Sequence, residues 1–223
     1  MNRFCSSDYW EQRYRAGGTS GAGSYGHMAA FNAALINRFV ADNGIAEVLD
    51  MGCGDGNLLS LLHVPHYLGV DVAPTALACC MTRFPQHRFV PFDALDASVR
   101  ADLVLSIDVI FHLVEDGAFA RYMHALFAHA TRFVLIHSSN VERNWPSPHV
   151  LHRRFTDHIA DCRPEWRLLA HLPNPYPFDP DRPEDTSFSD FFVYGHRQEG
   201  CVCTVPDTYQ KTAEESSNST RES

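Results

Sequence analysis

Short apolar segments alternate with segments of helical periodicity along the first two thirds of the chain. Five apolar segments lack the strict alternation of a half-exposed strand and predict buried strands: 47–51, 67–70, 88–92, 102–107 and 132–137. Helical periodicity predicts helices at 8–15, 27–43, 57–63, 74–84 and 115–130. Buried strands separated by helices are typical of a parallel sheet covered on both faces, so the sequence predicts a doubly wound α/β fold.

The pattern changes after the fifth strand. A proline-bearing loop at 144–148 precedes a predicted helix at 149–160. Two further strands are predicted at 166–172 and 188–194, and we expect them to close the sheet as a hairpin-like pair. From about Thr204 the chain is polar, serine-rich and nearly free of large apolar side chains, which predicts a disordered tail.

These boundaries divide the chain into three parts. Residues 1–26 are predicted to form a helix and a glycine- and serine-rich loop that cover the site. Residues 27–197 are predicted to form one α/β domain, and residues 198–223 the tail. The chain has 223 residues, 45% of them hydrophobic, which suffices for one complete core.

The composition indicates which kinds of partner and which cellular location to expect. The formal net charge is −9 and Lys211 is the only lysine, whereas nucleic-acid-binding proteins normally carry a basic excess, so no nucleic acid partner is expected. No apolar run reaches the roughly 18–20 residues of a membrane span, and the first residues lack a signal-peptide core. Seven cysteines at irregular spacing favour reduced thiols, so we expect a cytoplasmic protein without membrane contact.

Three glycines follow the first predicted strand in the segment VLDMGCGDG. Gly52, Gly54 and Gly56 permit a tight turn and a close approach of ligand to backbone at the carboxyl end of the strand, where doubly wound sheets bind ligands. The second strand ends in Asp71, whose carboxylate can accept both hydroxyls of a ribose. Together these residues predict a cofactor that contains a nucleoside.

The spacing of the glycines distinguishes two such cofactors. The dinucleotide fingerprint Gly-x-Gly-x-x-Gly, counted from Gly52, requires a glycine at position 57, where this chain has Asn57. Asp50 precedes the turn, and its carboxylate opposes a pyrophosphate but suits the cationic amino-acid part of S-adenosylmethionine, directly or through water. The sequence therefore favours S-adenosylmethionine over NAD.

The glycine motif, the GVD at 69–71, Asp93 after the third strand and the segment ADLVLSIDVIFHLVED resemble the class I S-adenosylmethionine-dependent methyltransferases of the small-molecule type. The likeness extends over roughly residues 9–196. It implies a Rossmann-like, three-layer α/β/α fold with a seven-stranded, mostly parallel sheet whose last strand is antiparallel.

The resemblance also assigns residues to the cofactor. The glycines are expected along the methionine part, Asp71 at the ribose, and Asp93 with Ala94 at the adenine. Trp10 and Arg13 lie in a segment, YWEQRY…GAGSYG, that resembles the amino-terminal cover of these enzymes, and we expect Arg13 near the cofactor carboxylate. The predicted cofactor-binding residues are thus Trp10, Arg13, Asp50, Gly52, Gly54, Gly56, Asp71, Val72, Asp93 and Ala94.

Methyl transfer needs an aligned acceptor and, for a hydroxyl or a protonated amine, a base. We expect the acceptor beyond the fourth and fifth strands, and predict Asp108, His112 and His137 there as catalytic residues. The structural alternatives are a helix cap for Asp108 and a hydrogen-bonded structural histidine for His112. No Asn-Pro-Pro-Tyr-like segment follows the fourth strand, which argues against the methyltransferases that use it for adenine, glutamine or nucleobase amines.

The segment HVLHRRF places four cationic or titratable side chains near the start of a predicted helix. Positive charge there opposes the helix dipole, which indicates capture of an anionic acceptor such as a carboxylate, a phosphate or an acidic sugar. The alternative is that the arginines pair with Asp157 and Asp161 along the helix. The predicted substrate-binding residues are Tyr25, His149, His152, Arg153 and Tyr176. No metal site is predicted, because His149-x-x-His152 lacks a third ligand of clear spacing.

The predicted function is methyl transfer from S-adenosylmethionine to an oxygen or nitrogen of a small acceptor, with an anionic natural product or saccharide as one option. Three alternatives remain open: an NAD-dependent oxidoreductase, a non-catalytic S-adenosylmethionine-binding module, and a protein or RNA methyltransferase.

Overall fold

The computed structural model describes residues 4–197 and 204–205. Its helices are α1 (Ser6–Arg15), α2 (Gly26–Asp42), α3 (Pro74–Arg83), α4 (Asp116–Ala128) and α5 (Phe155–Cys162). Its strands are β1 (Glu47–Met51), β2 (His66–Asp71), β3 (Arg88–Pro91), β4 (Ala101–Ile107), β5 (Ala130–Ser138), β6 (Arg143–Asn144), β7 (Leu151–His152), β8 (Trp166–Leu172) and β9 (Asp190–His196).

Seven strands form one sheet in the order β3-β2-β1-β4-β5-β9-β8. Neighbours among β1 to β5 pair in parallel, and β9 runs antiparallel to both β5 and β8. The predicted fold, including the antiparallel last strand, is confirmed. Because the strand order reverses between β1 and β4, their carboxyl ends border the crevice in which doubly wound sheets bind ligands.

Successive residues of the central strands pack into different hydrophobic layers. Leu103 and Leu105 of β4 face the layer that contains α2 and α3, whereas Val104 faces the layer that contains α4 and α5. Both faces of the sheet are therefore covered. This explains why these strands are apolar without alternation in the sequence.

The prediction of a helix at 57–63 is wrong, since this segment forms only a single 3-10 turn at Leu59–Leu61. Pro65 disfavours helical backbone at the residue before it, which leaves too little chain for a helix. In addition, the His63 N–H donates to Asn37 Oδ1 at 2.6 Å rather than to a carbonyl of its own segment.

The helix predicted at 149–160 begins later, at Phe155. The preceding residues, Leu151–His152, form β7 and pair antiparallel with β6, so their backbone groups are bonded across the ladder instead of along a helix. Arg153 and Arg154 therefore precede α5, and the predicted cluster of cations inside its first turn does not exist.

The predicted tail lies almost entirely outside the described residues, as do Cys201 and Cys203. Of the tail, the structure describes 204–205, where the side chain of Asn43 donates to the carbonyl and accepts from the N–H of Thr204, each at 2.9 Å. The division of the chain into cover, domain and tail stays a prediction.

Candidate active site

Three glycines with left-handed backbone form the turn after β1. Gly52, Gly54 and Gly56 have φ of +91°, +56° and +74°, which other residues rarely adopt. A Cβ at Gly52 would overlap the Val109 side chain, and one at Gly54 would lie 2.9 Å from the Tyr14 hydroxyl. Glycine is thus required here both by conformation and by close packing against α1 and the end of β4.

A cavity of about 560 Å³ opens at the carboxyl ends of β1, β2 and β4, with residues of α1 in its wall. Nine predicted site residues line it: Trp10, Asp50, Gly52, Gly54, Asp71, Val72, Asp93, Asp108 and His112. The others are not among the described residues of its lining: Arg13, Tyr25, Gly56, Ala94, His137, His149, His152, Arg153 and Tyr176. The volume is typical of a cofactor or ligand pocket.

Asp71 is held rigidly at the end of β2. Its Oδ2 accepts the Gly54 N–H and its Oδ1 accepts the Ala73 N–H, each at 2.9 Å. Burial raises the pKa of Asp71, and these backbone donors oppose the shift. Each carboxylate oxygen has a second acceptor position, so the group can still bind ligand hydroxyls.

One carboxylate oxygen of Asp50 has no hydrogen-bond partner among the described residues. Its Oδ2 accepts the Tyr67 hydroxyl at 2.7 Å, whereas Oδ1 is buried and accepts no hydrogen bond from any described residue. Burial raises the pKa of Asp50 to about 6. Since Asp50 lines the cavity beside the glycine turn, a cationic amino group bound there supplies the missing donor.

Val72, Phe92 and Asp93 line the cavity where β2 and β3 end. Val72 is 41% exposed to solvent, which is unusual for a large apolar residue among those that the structure describes. An apolar ring bound against it removes that surface from water, which fits an adenine. Ala94 ends the 3-10 turn that contains Asp93.

Two carboxylates hold α1 over the cavity. Glu115 accepts the N–H and the hydroxyl of Ser6, at 2.8 and 2.5 Å. Glu11 accepts the N–H and the hydroxyl of Thr75, at 3.0 and 2.8 Å, and so binds the first turn of α3. These contacts fix the start and the middle of α1, and the Trp10 ring lies in the cavity wall between them.

Arg13 supports the loop that follows α1. Its Nε donates to the Thr19 carbonyl at 2.6 Å, and its guanidinium lies 5.7 Å from the centre of the Trp10 ring. The expected contact of Arg13 with a cofactor carboxylate stays a prediction.

The loop between α1 and α2 is bonded to the glycine turn through Asp55 and Asn57, which the sequence did not assign to the site. Asp55 Oδ2 accepts the Ser20 N–H at 2.9 Å and the Tyr25 hydroxyl at 2.8 Å. Asn57 donates its side-chain amide to the Ser24 carbonyl at 2.6 Å. The hydroxyl of Tyr25, predicted to contact substrate, is therefore engaged within the protein.

Asp108 and His137 lie together at the ends of β4 and β5. The Asp108 N–H donates to the His137 carbonyl at 2.9 Å. Asp108 Oδ1 accepts the Ser189 hydroxyl at 2.8 Å and lies 3.0 Å from His137 Nδ1, an ion-pair distance without hydrogen-bond geometry. Burial acts to raise the pKa of Asp108, but His137 and Ser189 outweigh it and hold that pKa below its usual value.

His112 is the predicted catalytic histidine that lines the cavity. Its Nδ1 lies 2.9 Å from the His149 carbonyl, which can only accept, so Nδ1 carries the proton. The neutral ring leaves Nε2 as an acceptor. Burial lowers the pKa of His112 to about 4, so the ring is uncharged at neutral pH. Trp10 packs edge-on against it, with ring centres 4.8 Å apart.

The residues predicted to capture an anion have other contacts. Arg153 forms an ion pair with Asp116 at 2.8 Å. His152 is buried, with its Nδ1 2.7 Å from the Ser139 hydroxyl. The ring of His149 stacks on Tyr9, with centres 4.5 Å apart. This arrangement does not support an anion-binding cluster.

Tyr176 packs away from the cavity. Its ring contacts His27 and Phe31 near the start of α2, with centres 4.5 and 6.1 Å apart. The loop between β8 and β9 that carries Tyr176 therefore packs against α2.

Within residues 4–197 and 204–205, no group of three or more histidine, cysteine or acidic side chains is arranged to hold a metal ion. Over the same residues, no helix is both long and apolar enough to cross a membrane. The five cysteines described are all free: Cys5, Cys53, Cys79, Cys80 and Cys162.

A family model described as a methyltransferase domain matches residues 25–177. This chain belongs to the methyltransferase domain family. The predicted family and enzyme class are thereby confirmed. No curated protein sequence matches this methyltransferase significantly.

Solved methyltransferase structures share its fold. Magnesium protoporphyrin IX methyltransferase from Synechocystis PCC 6803, with bound SAH, is 13% identical over 85% of this chain and 97% of that chain, with a TM-score of 0.61. The N-methyltransferase NodS from Bradyrhizobium japonicum, in complex with S-adenosyl-L-homocysteine, is 13% identical over 86% and 99%, with a TM-score of 0.61. CalS10, a SAM-bound amino pentose methyltransferase from Micromonospora echinaspora, is 17% identical over 88% and 99%, with a TM-score of 0.56.

Proposed function

We propose that this methyltransferase transfers a methyl group from S-adenosylmethionine to an oxygen or nitrogen of a small acceptor. The observation that carries the proposal is Asp50, whose buried Oδ1 has no partner among the described residues and lies at the glycine turn of the cavity. The ammonium of the cofactor's amino-acid part supplies that partner. The bound cofactor supplies an activated methyl group.

The remaining cavity residues fit the rest of the cofactor. The left-handed glycines let the backbone approach the methionine part, and the Asp71 carboxylate accepts the ribose hydroxyls. Val72 and Phe92 contact the adenine ring. Trp10 and the rest of α1 exclude water from the reacting centre, which strengthens each electrostatic contact inside it.

The acceptor binds beside β4. With adenine at β2 and β3 and the methionine part at β1, the strand order supports a transferable methyl group directed towards Asp108 and His112. A pKa of about 4 makes His112 a weak base, so it orients an acceptor O–H or N–H rather than removing the proton. His137 acts through Asp108, as a positioning residue. The cavity continues past the methionine position to these residues, which supports catalysis over a non-catalytic binding module.

The charge of the cavity favours a neutral or cationic acceptor over an anionic one. The described lining contains six carboxylates: Asp50, Asp55, Asp71, Asp93, Asp108 and Glu115. Arg121 is the only arginine or lysine in that described lining. An anion entering such a site meets repulsion in a poorly screened environment. The names of two structural neighbours, which mention a porphyrin and an amino pentose, agree with a small acceptor.

Calorimetric titration with S-adenosylmethionine and S-adenosylhomocysteine tests the proposal. We expect micromolar binding to the wild type and loss of binding in Asp71→Ala. The control is Asp42→Asn, which removes a carboxylate paired with Arg38 on the surface of α2 and is expected to bind like the wild type. Absence of binding to folded wild-type protein contradicts the proposal.

We also propose a cytoplasmic enzyme without a nucleic acid partner, on the basis of the irregular spacing of its seven cysteines and the net charge of −9. Cell fractionation and a mobility-shift titration with RNA and DNA test these two points. Recovery in a membrane or exported fraction, or saturable nucleic acid binding, contradicts them.

A further inference from the structure

The Asp108 carboxylate is held through one of its two oxygens. Oδ1 contacts both Ser189 and His137, whereas Oδ2 is buried and accepts no hydrogen bond from any described residue. A buried anionic oxygen without a donor is costly. It therefore marks a position where a donor from outside the chain binds.

Two features of the local backbone fix the surroundings of Oδ2. Asp108 has φ of +57°, the one described non-glycine residue with positive φ, and its N–H is tied to the His137 carbonyl at 2.9 Å. Gly23 of the loop between α1 and α2 lies against this oxygen, and a Cβ at Gly23 would come within 2.8 Å of Oδ2. The absence of a side chain at Gly23 leaves space beside Oδ2, next to the cavity that Asp108 lines.

We propose that Asp108 Oδ2 binds the nitrogen of the acceptor, so that this enzyme is an N-methyltransferase of small amines. The inference rests on the proposed function, because it places the transferable methyl group at β4 beside Asp108.

The charge changes of the reaction support an amine. The acceptor amine first loses one proton to solvent and reacts as the neutral base. Its lone pair then forms the new N–C bond, the C–S bond breaks, and the electron pair of that bond stays on sulfur. The positive charge thus moves from sulfur to nitrogen. A fixed carboxylate stabilises the forming ammonium more than the neutral amine, which lowers the barrier.

A hydroxyl acceptor fits this position less well. An alcohol or phenol reacts fastest after losing its proton, and a carboxylate in contact with it raises the energy of the resulting oxyanion. His112, whose pKa burial lowers to about 4, does not compensate as a strong base. The same site therefore favours nitrogen over oxygen.

Sinefungin tests the inference without knowledge of the acceptor. In this analogue a carbon that bears a primary ammonium replaces the methylsulfonium, so a cationic nitrogen occupies the reacting position. S-adenosylhomocysteine is the matched reference, because it has no group there. Calorimetry measures both affinities in the wild type, in Asp108→Asn and, as a control, in Asp42→Asn.

We expect Asp108→Asn to reduce the preference for sinefungin over S-adenosylhomocysteine about tenfold, the effect of one charged hydrogen bond. The affinity for S-adenosylhomocysteine is expected to stay unchanged, and the control to behave like the wild type. Asparagine tolerates left-handed backbone, and Asp108→Gly provides a second variant without a side chain that also suits that φ.

Each other outcome is decisive. An unchanged preference in both folded variants overturns the role of Asp108 while the proposed function stands. Equal weakening of both ligands assigns Asp108 to the cofactor amino group and also overturns it. If the wild type binds neither ligand, the proposed function itself is wrong, and the assignment of an amine acceptor is then wrong as well.

Discussion

The Tyr25 hydroxyl donates to the Asp55 carboxylate across 2.8 Å, and this contact joins the loop between α1 and α2 to the glycine turn. Burial and the Asp55 carboxylate raise the pKa of Tyr25 to about 12, so the hydroxyl remains a donor. The same Asp55 oxygen accepts the Ser20 N–H. The position of the loop and the shape of the glycine turn are therefore coupled through one carboxylate.

Removal of that carboxylate is expected to weaken cofactor binding. Asp55→Ala deletes the acceptor of both loop donors, and we predict an increase of about tenfold in the Kd for S-adenosylmethionine, measured by calorimetry. Tyr25→Phe deletes one of the two hydrogen bonds and is expected to raise the Kd about threefold. An Asp55→Ala protein that is folded and binds like the wild type refutes the coupling.

We predict that the loop at 16–26 becomes more ordered when cofactor binds. Trypsin cleavage after Arg15, whose side chain is 73% exposed, reports on the adjoining loop. S-adenosylhomocysteine is expected to slow this cleavage severalfold in the wild type, and less in Asp55→Ala, where the loop has lost its acceptor. Equal cleavage rates with and without ligand would contradict this prediction.

The glycine turn and Asp71, which line the cavity on the proposed cofactor side, could be found in the sequence because local backbone sets their positions. The glycine turn must follow β1, and Asp71 must end β2, since adjacent parallel strands place their carboxyl ends at one edge. The parallel pairing of the first five strands follows from the alternation of apolar runs and helices. Asp55 also has a signal in the sequence, since it is an acidic residue between two glycines of the turn.

The acceptor side depends on contacts between distant segments and was less predictable. Ser189, which donates to Asp108, lies 81 residues further along the chain. The predicted helix at 149–160 had suitable periodicity, but pairing of β7 with β6 competes for the same backbone groups. Arg153 consequently binds the start of α4 instead of facing a ligand. Sequence spacing alone carries no information on such pairings.

The buried state of His112 predicts a loss of stability in acid. Its pKa is about 4 in the folded protein and about 6.5 in an unfolded chain. Between these values the unfolded state binds more protons, so the free energy of unfolding falls as pH falls through this window and is unaffected by His112 above it.

His112→Gln, which removes the titrating ring, is expected to reduce this dependence. The melting temperature should drop less between about pH 7 and about pH 5 in the variant than in the wild type. The exposed His66 at the start of β2 provides the control, and His66→Gln is expected to follow the wild type. An identical drop in all three proteins would show that His112 is not buried as a neutral ring.

Arg153 distinguishes a structural role from capture of an anionic acceptor. Its Nη2 donates to the Val114 carbonyl at 3.1 Å and pairs with Asp116, and its guanidinium lies 4.9 Å from the centre of the Phe119 ring. We predict that Arg153→Ala lowers the free energy of unfolding by about 1 kcal/mol, measured by urea denaturation, and leaves the Kd for S-adenosylmethionine unchanged.

The neighbouring arginine supplies the control for that variant. Arg154 is 56% exposed and lies 3.6 Å from Asp157, so Arg154→Ala should have no measurable effect on stability. Once an acceptor is identified, Arg153→Ala should also keep its KM. A raised KM for the acceptor together with unchanged stability would instead indicate that Arg153 binds the acceptor. It would also weaken the amine assignment, because a guanidinium beside the acceptor opposes a forming ammonium.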